Sequence, residues 1–314
     1  MRYDDFRRSD DIEDRRDDSG GGMGGGGGGG VGLPMGGGGL GIGTIIVLGL
    51  IGYAFGIDPR ILIGGAEILN GGGSQAPSYQ TDRGSGTVKT GAPTDEMGSM
   101  IAGILGEIDD RWNEMFQASG QSYTGPKIVL FRNATNGGRC GMAQSAMGPF
   151  YCPPEQRIFL DTGFFREVET RFHGCSGSAC KFTAAYIIAH EAGHHIQNLL
   201  GILPKVTAQQ QAAGSKAQAN ALQVRVELQA DCLSGVWVNH EAKKRPNFLE
   251  AGDIDAALTT ASAIGDDTLQ RQATGRVVPD SFTHGSAEER KRWFMNGYQQ
   301  GTLKACDTFG AATL

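Results

Sequence analysis

Two histidines and a glutamate within five residues, His190-Glu191-Ala192-Gly193-His194, carry the clearest chemistry in the chain. Around them Phe182, Tyr186, Ile187, Ala189, Gly193, Ile196 and Leu200 recur at steps of three and four, which predicts one helix from Lys181 to Gly201. Gly201 suits a left-handed cap, and Pro204 limits continuation. Residues four apart stack on one helix face, so the imidazoles of His190 and His194 can converge on a single ion. Glu191, rotated about a quarter turn away, can reach a water on that ion without binding the metal itself. This is the H-E-x-x-H arrangement: two neutral nitrogen donors for zinc and a carboxylate placed as general base.

A catalytic zinc takes three protein ligands and keeps one position open. A third histidine on the same segment would need Gly at 197 and His at 200, but Gln197 and Leu200 stand there. The alternative lies downstream, where Glu227 and Asp231 are again four apart in an Ala/Gln-rich stretch from about 207 to 244, stopped by Pro246. Val224, Leu228, Cys232 and Val236 flank them, so this face is no run of solvated charge. Glu227 is therefore expected as third ligand. Asp231 is expected to accept the free ring N–H of one zinc histidine and fix its tautomer.

Two helices bearing H-E-x-x-H and E-x-x-A-D resemble the gluzincins, the thermolysin-like zinc peptidases. More narrowly, HEAGHHIQ (190–197), ELQADCLSGVW (227–237) and SFTHGSAEERKRW (281–293) are similar to the bacterial putative neutral zinc metallopeptidase family, from roughly Thr94 to the C-terminus. The chain departs from that pattern at Glu289, where the family commonly has Gln, and at His173 to Cys180, which looks like an insertion. Neither departure touches an expected ligand. The resemblance implies zinc-dependent hydrolysis of a protein or peptide substrate. Zn²⁺ would polarise the carbonyl and acidify water, and Glu191 would take the water proton and pass it to the departing amine.

Ser286 and Glu289 form a capping box for a helix through Trp293, Phe294 and Tyr298, leaving His284 in the loop at its entrance. His284 is expected to donate to the oxyanion of the tetrahedral intermediate, with Tyr186, one turn before His190, as a second candidate.

The elements that must hold these groups imply an α+β, zincin-like domain with a small sheet against helices. A helix starts at Thr94, its apolar face running from Met97 to Phe116, and Lys127–Phe131 and Arg157–Asp161 read as strands. Residues 137–154 form a Gly/Pro-rich loop that a Cys140–Cys152 bridge could staple. Arg157–Asp161 is the candidate edge for pairing with extended substrate backbone.

Outside 94–314 the composition changes. Residues 1–18 are mostly Arg and Asp and 20–39 mostly Gly, so 1–39 is expected to be a disordered tail. Leu40 to Ile57 is uncharged for 18 residues. As a helix it would be about 27 Å long, near the hydrocarbon thickness of a bilayer. It is expected to be a single-pass anchor, with 58–93 as linker. Net charge is −6 and no basic cluster interleaves with aromatics, which leaves a nucleic-acid function without a footprint. All six cysteines follow the span. Cys140/Cys152 and Cys175/Cys180 are locally spaced, leaving Cys232 and Cys306. The even count suits an oxidising compartment, so the domain is expected on the periplasmic side of the inner membrane. The alternative is a non-catalytic, membrane-tethered zinc-binding interaction module. It would close its metal with four protein ligands.

Overall fold

A computed structural model describes residues 1–17, 88–171 and 173–314. It is α+β. Seven strands are described: β1 (Ile12–Asp14), β2 (Lys89–Thr90), β3 (Lys127–Phe131), β4 (Ala134–Asn136), β5 (Met142–Gln144), β6 (Phe150–Cys152) and β7 (Arg157–Asp161). The helices are α1 (Glu96–Ala118), α2 (Phe164–Thr170), α3 (Cys180–Leu199), α4 (Ile202–Gln211), α5 (Lys216–Lys244), α6 (Asp253–Ala263), α7 (Asp266–Thr274) and α8 (Ala287–Gln300). The two strands and the helices at α1 and α3 fall where their patterns put them, whereas the 207–244 stretch is divided: its first residues end α4, which contains Pro204, and the rest form α5.

One sheet runs in the order β2-β1-β3-β7-β6, with β1, β3 and β7 parallel and the outer strands antiparallel to their neighbours. Alternation along β3 divides the interior. Ile128 and Leu130 join Ile101, Ile104 and Leu105 of α1 and Ile188 of α3 in the main core. Val129 and Phe131 face the other way, onto Ala143, Cys152 and Phe159. Short cross-links tie the loops down: Cys140–Cys152, Cys175–Cys180 and Cys232–Cys306 are all bridged.

Two expectations need correction. The first concerns the amino-terminal residues, read as a disordered tail. Residues 1–17 are part of the fold: β1 pairs with β3 at Ile12↔Ile128 and with β2 at Glu13↔Thr90. Met1, Phe6 and Ile12 are buried in the main core. Several of the charges that looked solvated are paired. Arg15 and Arg157 both meet Glu13, and Arg16 lies 2.6 Å from Asp14. Arg7 donates to Asp110.

The rest of that tail, the Leu40–Ile57 span and most of the linker lie outside the described residues. Among the described residues no helix is long and apolar enough to cross a membrane. Yet β1 precedes that segment, β2 follows it, and the two are hydrogen-bonded neighbours.

The second correction concerns the cleft edge. β7, expected outermost, is paired on both sides, by β3 and by β6. The outer strand on that side is β6, only three residues long and so without the run that marks its five-residue neighbour.

Candidate metal centre

Helices α3 and α5 cross where both can spare bulk. A Cβ on Gly193 would lie 3.0 Å from the Ala230 carbonyl oxygen, so glycine there permits the close approach that brings Glu227 opposite the histidines. Glu227 Oε2 lies 3.2 Å from His190 Nε2 and 3.5 Å from His194 Nε2. One ligand atom from each of the three side chains falls within 4.8 Å of the others. All three are largely buried, and Gln223 donates to the second oxygen of Glu227 at 2.8 Å. The expected ligands are thus together.

The donor set suits zinc: two imidazole nitrogens and one carboxylate on one side, with a cleft on the other. The local charge suits a cation as well. Burial opposes an imidazolium at His190, but Asp231 and Glu227 prevail and push it up to about 10. Burial opposes the charge on Glu227 too, yet His194 and His190 hold it well below the ordinary carboxylate range. Three side chains that share protons when bare present neutral nitrogens and an anion once a dication takes the place of those protons.

Asp231, one turn beyond Glu227, accepts from His190 Nδ1 at 2.8 Å, the role its spacing suggests. Arg290 of α8 donates to it twice, Nε to Oδ2 at 2.8 Å and Nη2 to Oδ1 at 3.0 Å. α8 reaches that point because it lies on α5 with glycine at the contact; a Cβ on Gly297 would collide with the Cys232 carbonyl. Tyr186 also donates to Asp231, at 2.7 Å, and accepts from Arg290. Its hydroxyl is committed, which removes it as an oxyanion donor. Arg290 falls within the third family-like motif, 281–293, but its spacing there gives no sign of a partner on α5.

Glu191 is buried at the floor of a cleft of about 600 Å³, beside His190 and His194. No hydrogen bond among the described residues engages its carboxylate. His284 lines the same cleft, with its side chain about half exposed. Its Nδ1 lies 3.3 Å from Asp266 Oδ1 and 3.0 Å from Thr283 Oγ1, which leaves Nε2 for the cleft. Burial lowers its proton affinity, but Asp266 and Glu227 outweigh that and raise it above the ordinary range. Asp266 also shapes the loop: its Oδ2 accepts the backbone N–H groups of Thr283 and His284 at 2.5 and 2.6 Å. In the sequence, Asp266 is visible only as a break between two helices.

Much of the rest of the cleft lining is apolar, including Met147, Phe150, Phe164, Leu203, Val206 and Leu269. β6 is anchored beside α3, because His195 Nδ1 meets the Tyr151 hydroxyl at 2.9 Å and Asn198 donates to that hydroxyl at 3.1 Å. His195 is thereby accounted for as a strut, not a ligand.

Against known proteins, the chain matches the family described as "Putative neutral zinc metallopeptidase" over residues 1–309. The match starts at residue 1, not near Thr94, as β1's place in the sheet requires. Uncharacterized protein YpfJ of Escherichia coli (strain K12) is 43% identical over 310 residues, 99% of each chain. Uncharacterized protein Rv2575 of Mycobacterium tuberculosis (strain ATCC 25618 / H37Rv) is 44% identical over 215 residues, 66% of this chain and 69% of that one. No solved structure matches. With motifs, ligand geometry and near full-length likeness in agreement, the chain belongs to the neutral zinc metallopeptidase family.

Proposed function

We propose that this protein is a zinc-dependent peptidase of gluzincin type, in which His190, His194 and Glu227 hold the metal. The observation that carries the reading is the convergence of two imidazole Nε2 atoms on one Glu227 oxygen, with Glu191 beside them in an open cleft. When bound, zinc supplies Lewis acidity to a peptide carbonyl and to water.

The chain's own groups do the rest. Glu191 accepts the water proton and delivers it to the departing amine. His284, oriented by Asp266, donates to the oxygen on which charge develops. Asp231 keeps the proton of His190 on Nδ1, so Nε2 is free to ligate, and Arg290 keeps Asp231 charged. β6 is unpaired on its outer side among the described residues and borders the cleft, so it offers main-chain groups to an extended peptide. The apolar wall favours a large hydrophobic side chain near the scissile bond. A tethered, closed zinc module fits less well, because three ligands facing a cleft leave room for water and substrate. Three bridges suit an oxidising compartment, and we place the folded unit outside the cytoplasm.

The test is digestion of a peptide library by the full chain and by Glu191→Gln. The reading requires zinc in both proteins, with cleavage by the first alone. Equal cleavage by both would remove Glu191 as the base.

A further inference from the structure

His190 and His194 are held by different chemistry. His190 gives its Nδ1 proton to a carboxylate; His194 gives its own to a neutral amide, Gln197 Oε1 at 2.9 Å. Gln197 lies almost one turn further along α3 and is fully buried. Its Nε2 is 2.8 Å from the Val226 carbonyl and 3.0 Å from Gln229 Oε1, and Gln229 Nε2 is 2.9 Å from the Cys306 carbonyl.

Main-chain carbonyls only accept hydrogen bonds, so these two fix the sense of every bond between them. The Cys306 carbonyl takes the NH₂ of Gln229, which turns Gln229 Oε1 toward Gln197. The Val226 carbonyl and Gln229 Oε1 both require the NH₂ of Gln197, which turns Gln197 Oε1 toward His194. The proton of His194 must then sit on Nδ1, and the Nε2 lone pair faces Glu227. A fixed backbone thus selects the ligating tautomer without a second charge. The far anchor is itself tethered: Cys306 is bridged to Cys232, the residue after Asp231.

We propose that Gln197 and Gln229 are positioning residues for His194, anchored by the Cys232–Cys306 bridge, so that metal residence depends on the amide relay and on the bridge being formed. Resting on the zinc reading above, this adds that the second histidine is controlled from the carboxy-terminal segment. Losing the Gln229 anchor leaves Val226 still orienting Gln197; losing Gln197 removes the acceptor outright. The effects should therefore be graded.

The measurement is the rate at which zinc passes from the loaded full-length protein to a chromogenic chelator. Unmodified protein that holds no zinc would fail the metal reading itself. Given a zinc-loaded protein, Gln197→Met should release the ion about 10–100-fold faster, the range for removing a partner behind a metal ligand. Gln229→Met and the double variant Cys232→Ser/Cys306→Ser should fall between it and the unmodified protein. The thermal midpoint of metal-free Gln197→Met should move less than its zinc release does. Release by Gln197→Met at the unmodified rate would overturn the relay. Release by both Gln229→Met and the serine variant at that rate would overturn the anchor, and should the serine variant not fold, Gln229→Met decides it alone.

Discussion

Arg290 and Asp231 make a two-point contact across helices α8 and α5, with both side chains almost wholly buried. Burial resists the charge on Asp231, while Arg290 and His190 hold its carboxyl below the ordinary range. Removing one member of such a pair strands the other. Arg290→Met should therefore destabilise the metal-free protein by about 3–5 kcal/mol, read from urea unfolding. Asp231→Asn should weaken zinc binding about 10–100-fold through His190. An Arg290→Met protein as stable as the parent would mean Asp231 is not charged in the folded state.

His284 contacts no proposed ligand within hydrogen-bond distance, so its loss should spare the metal. His284→Ala should keep full zinc content and lower kcat by roughly 10²–10³-fold, the usual cost of removing one oxyanion donor. Steady-state kinetics on a cleaved peptide, paired with metal analysis, separates this from a binding defect. A change confined to KM would make His284 a substrate contact only.

The residues of the proposed metal site were legible because their signal is local. Spacings of four along two helices bring His190, His194, Glu227 and Asp231 onto two faces, and the helix crossing needs only small residues such as Gly193. β1 was hidden because Ile12 stands among charged residues whose partners lie far along the chain, Arg157 for Glu13 and Asp95 for Arg16. Strand order was equally illegible: β7 and β6 differ in who pairs with them, which composition does not encode. Gln197 and Gln229 carry no mark either, since a buried amide announces itself only through the carbonyls it meets.

The neighbouring β1 and β2 make a topological prediction. In intact cells, cysteines placed at exposed positions 4 and 121, in a background where the native bridges are intact, should be either both labelled by or both protected from a membrane-impermeant maleimide. Labelling of one alone would contradict the sheet.

Glu241 sits at the far end of α5, fully buried between Glu107 and Arg111 of α1 and Arg245. Burial and Glu107 outweigh the two arginines and push its carboxyl up to about 7. The folded state then holds its proton more tightly than the unfolded state. This contribution is fully present below the unfolded carboxylate range and is lost as pH rises through about 7. Glu241→Gln should flatten the fall in stability over that window, measured as the urea midpoint against pH. An unchanged slope would assign the fall to other groups.

The central claim is that three side chains on two helices hold one catalytic zinc ion. Zinc per chain, measured on purified protein and on Glu227→Ala after dialysis against a weak chelator, tests it most directly. The expected result is one zinc per chain in the parent and near none in Glu227→Ala, with both proteins folded. Equal zinc in the two, or none in the parent after loading, would contradict it.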